Sequence, residues 1–268
     1  MARDEQGPMD PTRTWARLAS RPAPGERTPL TRDEIVTTAI RLIDDEGLDA
    51  FSMRRLGAEL GAGATSRYWH VRNKDELGDL ILDEIIGEVV ADFDAHADAG
   101  NDWQEQLAEV ARSLRRVMLR HRHIAPLIGE RPPLGPQALD ASERVMGILV
   151  DAGFDGLMTS LATGALITYA FGFAMAEARL PGGSSQAPES LDAAAAVAAY
   201  FAGLPEERYP HTRAIAAIPV TEEQQFEYGL ERLIAGIAAD LSSAIRDGEP
   251  HGKPSDDGGQ SGNVIFRH

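Results

Sequence analysis

The chain of 268 residues contains no cysteine. The absence of thiols excludes disulfide frameworks, thiolate zinc sites and cysteine nucleophiles, and it fits a reducing cytoplasm best. Aromatic residues are scarce, at 6%, and no stretch alternates Val, Ile or Thr with polar residues as half-buried strands do. We therefore predict an all-α fold. The length exceeds the usual size of one hydrophobic core and predicts two domains, or one domain with a small module.

Positive charge is also in deficit, because 26 Lys and Arg face 42 Asp and Glu, for a formal net charge of −16. The deficit is uneven. Residues 1–80 hold 12 basic and 14 acidic side chains, whereas residues 81–268 hold 14 and 28. Within 52–74 one acid, Glu59, faces five basic residues, which are Arg54, Arg55, Arg67, Arg72 and Lys74. A polyanion would be repelled by an evenly acidic surface, but it could approach this end of the chain.

Long hydrophobic runs are absent near the start of the chain. The first 30 residues carry five prolines and no apolar run, so we expect no secretory signal. The uncharged stretch 156–176 is long enough to span a bilayer. Its glycines and hydroxyl residues lower its hydropathy, and Asp155 and Glu177 bracket it without a Lys or Arg anchor. We predict a buried helix and no membrane partner.

Capping residues mark the first helix. Thr31 and Glu34 are spaced as a capping box, in which the hydroxyl and the carboxylate bond each other's backbone N–H groups. Apolar residues then recur at helical spacing until Gly47, a residue type that often ends a helix. This pattern predicts a helix over 32–46.

Two short helices and a long one follow. Ser52 can cap a helix over 53–60, a glycine-containing turn ends it, and another short helix is predicted over 64–70. Asn73 begins a second box-like cap, and apolar residues at intervals of four continue the next helix to about residue 95. Further helices are predicted near 102–121, 123–129, 135–152, 155–179, 191–203 and 222–246.

The two short helices and their turn form a helix-turn-helix, which lays its second helix in the major groove of DNA. Thr65 and Ser66 would offer donors and acceptors to bases or phosphates, and Arg67 would add charge. Arg54 and Lys74 begin the flanking helices, where phosphate contacts would fix the register. The candidate DNA contacts are Arg54, Thr65, Ser66, Arg67, Tyr68, Trp69, His70 and Lys74. The alternative is that the aromatic residues are core and the arginines form a solvated face.

The runs 30–57 and 68–77 resemble the DNA-binding domain of the TetR family of bacterial regulators, and Tyr-Trp-His-Val is similar to its tetracycline-repressor branch. The resemblance implies an all-helical homodimer, in which three N-terminal helices read an operator and a larger C-terminal bundle binds an inducer. It implies that 64–70 is the reading helix, with these residues toward DNA: Thr65, Ser66, Tyr68 and His70. Ala64 and Arg67 depart from the usual family residues, so the operator sequence does not transfer.

Residues 131–135 and 169–179 are similar to the ligand domain of the same branch. Tetracycline-binding members hold magnesium there through two histidines and an acid, and the corresponding positions here are Leu127, Thr168 and Ala176. A hard cation has little affinity for such side chains, so we expect no metal, no other cofactor and no magnesium-tetracycline chelate. His121 and His123 are two residues apart and would point to different faces of a helix. We expect a solvated pair and not a metal site.

A different inducer site is predicted within the uncharged helix. Tyr169, Phe173 and Glu177 share one stripe, and Thr159 and Thr163 share another. They could line a mostly apolar cavity with a few polar groups, suited to a small molecule of unknown identity. Packing in the core or in a dimer is the alternative.

The chain is predicted to contain four segments: a flexible arm (1–29), a helix-turn-helix DNA-binding domain (30–76), a ligand-binding and dimerisation domain (77–246) and a disordered tail (247–268). Small residues in 156–176 and an apolar stripe in 222–246 favour a homodimer. The leading hypothesis is a cytoplasmic, ligand-responsive repressor of transcription that is not an enzyme. The alternative is a constitutive or protein-controlled DNA-binding regulator without a small-molecule inducer. A fused enzyme is disfavoured, because 97–268 contain no nucleophile elbow, phosphate loop or histidine-paired carboxylates at helical spacing.

Overall fold

The computed structural model describes residues 31–61, 71, 73–97, 102–124, 127, 133–178, 189–216 and 218–247. These ranges form helices and contain no strand, which confirms the predicted all-α fold. The helices are α1 (Arg32–Glu46), α2 (Met53–Glu59), α3 (Lys74–His96), α4 (Trp103–Arg120), α5 (Pro136–Asp151), α6 (Gly156–Ala178), α7 (Glu189–Ala202), α8 (Pro210–Ala216) and α9 (Glu222–Asp247).

The predicted capping box begins α1. The Thr31 hydroxyl accepts from the backbone N–H of Glu34 at 3.1 Å, and the Glu34 carboxylate accepts from the backbone N–H of Thr31 at 2.8 Å. Gly47 ends the helix with φ of 84°, a conformation that side-chain-bearing residues rarely adopt. The prediction of a helix over 32–46 is therefore confirmed at both ends.

Side-chain caps also begin α2 and α3. The Ser52 hydroxyl accepts from the backbone N–H of Arg55 at 3.1 Å, and the Asn73 side chain accepts from that of Glu76 at 2.8 Å. α3 ends one residue beyond its predicted limit. The predicted helix over 64–70, the arm and almost all of the tail lie outside the described residues.

α8 was not predicted from the sequence. It has seven residues, and none of them is buried, so no apolar stripe marks it. Proline at its first position suits a helix start, and the Arg213 guanidinium donates to the Leu204 carbonyl at 3.0 Å. The other described helices agree with their predicted ranges within about two residues, the usual uncertainty of helix ends.

Two apolar cores share α3. The first contains Ile81 and Ile85 of α3, the buried face of α1 and residues at the end of α4 such as Val117. The second contains Phe93, near the other end of α3, with apolar residues of α4, α5, α6 and α9. One continuous helix therefore connects the packing of the two cores.

The start of α5 is capped by a side chain of α3. Gly135 stands at the N-cap without a side chain to offer, and the Asp83 carboxylate accepts from the backbone N–H of Ala138 at 3.1 Å. A Cβ at Gly135 would lie 2.1 Å from an oxygen of Asp83, so only glycine admits this contact. Burial raises the pKa of Asp83, against the lowering effect of these backbone hydrogen bonds.

α6 is the one helix among the described residues that is long and apolar enough to cross a membrane by length and composition alone. The prediction of a buried helix holds for one face only. That face contains Thr159, Ala162, Leu166, Ala170 and Ala174, whereas Leu157 and Leu161 on the other side are 68% and 58% exposed. The outer face is exposed because a single chain offers nothing to cover it.

Candidate DNA-binding head and ligand-binding body

We call α1, α2 and the residues between α2 and α3 the head, and α4 to α9 the body. Arg54 lies in the first turn of α2 and Lys74 is the first residue of α3, so the caps of the two helices position both cations. Both side chains are exposed, and neither bonds to another residue in the described part of the chain. The other candidate DNA contacts, Thr65, Ser66, Arg67, Tyr68, Trp69 and His70, lie outside the described residues.

Arg55, the neighbour of Arg54, has a structural role. Its guanidinium donates to Glu46 of α1 at 2.6 Å and to Glu59 of α2 at 2.8 Å. Glu59 also accepts from Arg41, and the hydrogen bonds from both arginines lower the pKa of this glutamate. Of two consecutive arginines, Arg55 therefore fixes α2 against α1, whereas Arg54 is exposed.

Three of the predicted ligand residues form one cluster at the C-terminal half of α6. The Tyr169 ring lies 5.6 Å from that of Phe226 of α9, and the Phe173 ring lies 5.3 Å from it, centroid to centroid. The Tyr169 hydroxyl donates to the Phe226 carbonyl at 2.7 Å. A Cβ at Gly229 would lie 2.3 Å from the Tyr169 hydroxyl oxygen, so the tyrosine can pack this closely against α9 only because residue 229 is glycine.

Arg115 of α4 lies under this aromatic cluster. Its guanidinium carbon is 4.7 Å from the Phe226 ring centroid, and its nitrogens donate to both oxygens of Glu177 at 2.8 and 3.0 Å. A further hydrogen bond joins it to Glu223 of α9. Burial lowers the pKa of Arg115, but the bonds to the glutamates outweigh burial and raise it. No spacing within α4 singles out Arg115, because its partners are 62 and 108 residues away.

Thr159 and Thr163 are separated from that cluster along α6. At 1.5 Å per residue, Thr159 lies about 21 Å along the helix axis from Phe173. The hydroxyl oxygens of both threonines are buried and have no hydrogen-bond partner among the described residues, and Thr159 is 4% exposed. A buried hydroxyl without a partner is unfavourable, so these two groups have unused capacity for a polar ligand.

One cluster of carboxylates and histidine in the described part of the chain has the spacing of a cation site, and it consists of Asp92, His96 and Glu109. The Arg116 guanidinium already lies between the two acids, 2.6 Å from each. The guanidinium of Arg116 therefore already pairs with the acids of this cluster. Three positions were expected from the resemblance to lack magnesium ligands. Leu127 is half-buried against the first core, whereas Thr168 and Ala176 are exposed.

The expectation of a solvated histidine pair is wrong for His121, which is 7% exposed. Its Nδ1 lies 2.7 Å from the Asp44 carboxylate of α1, and its Nε2 lies 2.9 Å from the Glu88 carboxylate of α3. His123 is half-buried, with Nδ1 3.0 Å from the Asp44 carbonyl oxygen. The prediction failed because α4 ends at Arg120, so helical facing no longer applies to these residues. Burial alone lowers the pKa of His121, but its two carboxylate partners outweigh burial and raise it.

Two family models match this chain. Residues 35–79 match the model of the bacterial regulatory proteins of the tetR family, and residues 97–241 match the tetracyclin repressor-like C-terminal domain. The second match alone covers more than half of the 268 residues. The chain therefore belongs to the TetR family of bacterial transcriptional regulators, whose members bind DNA through a helix-turn-helix.

Curated relatives agree with this family. An HTH-type transcriptional regulator of Saccharopolyspora erythraea is 42% identical over 149 residues, which are 55% of this chain and 61% of that protein. The HTH-type transcriptional repressor DrrR1 of Streptomyces coeruleorubidus is 38% identical over 135 residues, which are 50% of this chain and 48% of that protein. The matches thus span about half to three fifths of these two relatives. The class D tetracycline repressor of Escherichia coli is 29% identical over 81% of this chain and 93% of its own length.

Solved structures of ActR from Streptomyces coelicolor have the same fold. Apo ActR superposes with a TM-score of 0.68 and 36% identity, covering 82% of this chain and 100% of ActR. ActR in complex with actinorhodin superposes with a TM-score of 0.66 and 35% identity, covering 80% of this chain and 99% of ActR. A neighbour with this fold therefore holds a small molecule.

Proposed function

We propose that this protein is a homodimeric repressor of transcription that binds a double-stranded operator and is released by a flat, mostly apolar small molecule. The observation that carries the proposal is the position of α3. Its first half packs with α1 in the first core, and Phe93 near its end packs in the core of the body. A ligand that rearranges the body therefore has a physical connection to the DNA-reading residues.

Operator binding would rest on the basic end of an otherwise acidic chain. Arg54 and Lys74 are exposed and positioned by helix caps, as phosphate contacts must be. The resemblance to the family motif gives the candidates for contacts with bases, which are Thr65, Ser66, Tyr68 and His70. Arg67 and Trp69 lie beside them in the sequence. Two copies of the head would read the two halves of a palindromic operator, because a twofold dimer presents them symmetrically.

The dimer would form through the outer faces of α6 and α9. Leu157 and Leu161 of α6 are exposed. An open groove of about 340 Å³ lies between Leu161 and residues of α9 that include Arg232 and Gly236. Exposed apolar surface of this kind marks an interaction site on a protein surface. A second copy would cover it with the same face, as closed twofold symmetry requires.

The inducer would use two features of the second core. The aromatic cluster of Tyr169, Phe173 and Phe226 offers faces on which a planar ligand can stack, and Glu177 lies beside it. The buried hydroxyls of Thr159 and Thr163 offer hydrogen bonds that no described residue takes. The complex of ActR with actinorhodin supports a small-molecule ligand for a protein of this fold.

Release of DNA would then be a shift between two forms of the dimer. Ligand must bind better to the form whose heads are wrongly spaced than to the form that fits the operator. To enter the aromatic cluster, a ligand must displace rings that now pack on one another. Such a change in α6 and α9 would reach α3 through α4, which packs against all three helices.

Selection of operators from random DNA, followed by anisotropy titration, tests the DNA half of the proposal. We expect Lys74→Ala to weaken binding to all sequences alike and to reduce the salt dependence by about one unit of log–log slope, since one phosphate contact is lost per subunit. Tyr68→Ala should instead change which operator is preferred. Lys253→Ala removes the same charge outside the helix-turn-helix and is the matched control. Unchanged binding in both head variants would contradict the assignment.

Titration of planar aromatic compounds against the operator complex tests the ligand half, with actinorhodin as the first probe. Release is expected without added metal, and Phe173→Ala should weaken it about tenfold or more, because a stacking face is lost.

Light scattering of the free protein should give twice the 28.9 kDa chain mass. A monomer, or release by tetracycline that requires magnesium, would contradict the proposal.

The competing function is a constitutive or protein-controlled regulator without a small-molecule inducer. One observation favours it. Tyr169, Phe173 and Glu177 already have partners within the chain, since Glu177 is paired with Arg115 and the rings pack on Phe226. An operator complex that no compound in a broad aromatic library dissociates would support this second function.

A further inference from the structure

His121 lies at the contact between the head and the body. It follows the last residue of α4, and its imidazole bridges Asp44 near the end of α1 and Glu88 in the middle of α3. Three elements therefore meet at one ring. His123 adds a third contact, through the carbonyl oxygen of Asp44.

The geometry around the ring favours the protonated imidazole. Both ring nitrogens lie within hydrogen-bond distance of a carboxylate oxygen, at 2.7 and 2.9 Å. An ionised carboxylate can only accept, so both bonds form only when both nitrogens donate, and an imidazole has two N–H groups only when it is protonated. The neutral ring would lose one bond and place a lone pair against a carboxylate.

The charged groups around the ring are consistent with this state. Asp44 faces it from α1 and Glu88 faces it from α3, while Arg120 of α4 acts through Glu88 at 3.3 Å. Glu84 lies one turn before Glu88 and adds negative charge to the same helix. Asp44 and Glu88 thus place two carboxylates beside one imidazole, which favours its protonated form. His121 also occupies the C-cap of α4, where the helix dipole favours a positive charge.

We propose that protonated His121 is a positioning residue that, together with the apolar contacts of the first core, fixes the head on the body, so that operator affinity depends on its charge. This inference rests on the proposed function, because it concerns the regulation of operator binding. While the imidazole is charged, the head has a fixed orientation before it meets DNA. Loss of the proton releases one of the two bonds, and the operator must then order a looser head, which costs affinity.

The sign of the effect follows from the raised pKa of His121. Both hydrogen bonds of His121 are present below the pKa of an ordinary histidine. One of them is lost as the pH rises through the raised pKa of His121 in the folded protein. Operator affinity should therefore fall with rising pH. Between about pH 6 and pH 9 we expect a decrease of about tenfold, the size of one charge-assisted hydrogen bond.

The test compares the wild-type protein with His121→Gln by anisotropy at constant ionic strength over that pH range. The neutral variant should bind about tenfold more weakly than wild type at the acid end and equally well at the alkaline end. A merely structural role would leave the ratio the same at every pH. His96→Gln makes the same change at an exposed histidine of α3 and should keep the wild-type profile.

A second measurement needs no DNA. In nuclear magnetic resonance spectra of labelled histidines, the His121 signal is the one that is absent from His121→Gln. We expect this signal to show both ring nitrogens protonated at neutral pH and a pKa above that of a free histidine. Asp44→Asn should lower that pKa, because one carboxylate is lost. If no operator is bound at any pH, the proposed function fails while this titration still decides the state of His121. Parallel pH profiles for wild type and His121→Gln, or an ordinary His121 titration, would overturn the inference.

Discussion

The head and the body each contain charged contacts between their helices, but the contacts differ in burial. In the head, Arg55 bonds Glu46 and Glu59 where all three side chains are about one-third exposed. In the body, Arg115 and Glu177 are 11% and 13% exposed and join α4 to α6. Exposed pairs contribute little to stability, whereas breaking a buried pair leaves an uncompensated charge. The body therefore depends on single charged residues to a degree that the head does not.

Matched substitutions of arginine by alanine should give the largest difference between the two regions. Arg115→Ala strands the Glu177 carboxylate and removes the cation from the face of Phe226, so we expect a loss of about 3 kcal/mol in the free energy of unfolding. Arg55→Ala removes an exposed pair and should lower the melting temperature far less. Denaturant titration of both variants checks this. Equal losses in the two variants would remove the contrast between head and body.

A smaller effect is expected from substitutions of glycine in the body. In Gly229→Ala, the new methyl group must displace the Tyr169 hydroxyl from the Phe226 carbonyl, which should cost about 1–3 kcal/mol. Gly147→Ala, in α5, meets no atom within 4 Å and should stabilise the protein by up to about 1 kcal/mol, through helix propensity. Thermal unfolding distinguishes the two. If Gly229→Ala is neutral, the tyrosine is not held against α9.

The contact between the two regions should give the stability a pH dependence. Because the pKa of His121 is raised in the folded state, its contribution is complete below the pKa of the unfolded chain and is lost as the pH rises through the folded value. The melting temperature should therefore fall on the alkaline side. The decrease should be absent in His121→Gln and present in His96→Gln. A decrease of the same size in all three proteins would point to other groups.

The smallest effect, and one of opposite sign, is expected at the unpartnered hydroxyls. Thr159→Val replaces a buried hydroxyl by a methyl group of similar shape, so stability should be unchanged or should rise by about 1 kcal/mol. Thr168→Val, at an exposed position of the same helix, is the control. Ligand affinity should fall only in Thr159→Val. A loss of stability in Thr159→Val would show that the hydroxyl is bonded after all.

The head was the more predictable region, because its signals are local. Thr31, Ser52 and Asn73 each bond a backbone N–H three residues away, and Gly47 ends α1 by its own conformation. Such contacts can be read from a few consecutive letters. The helix starts and the exposed cations at Arg54 and Lys74 followed from them directly.

The body was less predictable, because its key contacts join distant segments. The stripe of Tyr169, Phe173 and Glu177 was visible on α6, but its partners Arg115 and Phe226 lie on other helices. No spacing within one helix reveals them. Sequence reasoning therefore found the residues of the cluster and could not decide between a cavity and a packed core.

Because α3 is long, a small tilt of this helix displaces its DNA-facing end by a distance comparable to the spacing of base pairs. Its 23 residues span about 34 Å. A rotation of about 5° around the end at His96 would move Lys74 by about 3 Å, close to the rise of about 3.4 Å along the DNA axis from one base pair to the next. A tilt of this size would therefore move each head by about one base step. An operator whose half-sites differ in separation by a single base pair should discriminate between the two forms of the dimer.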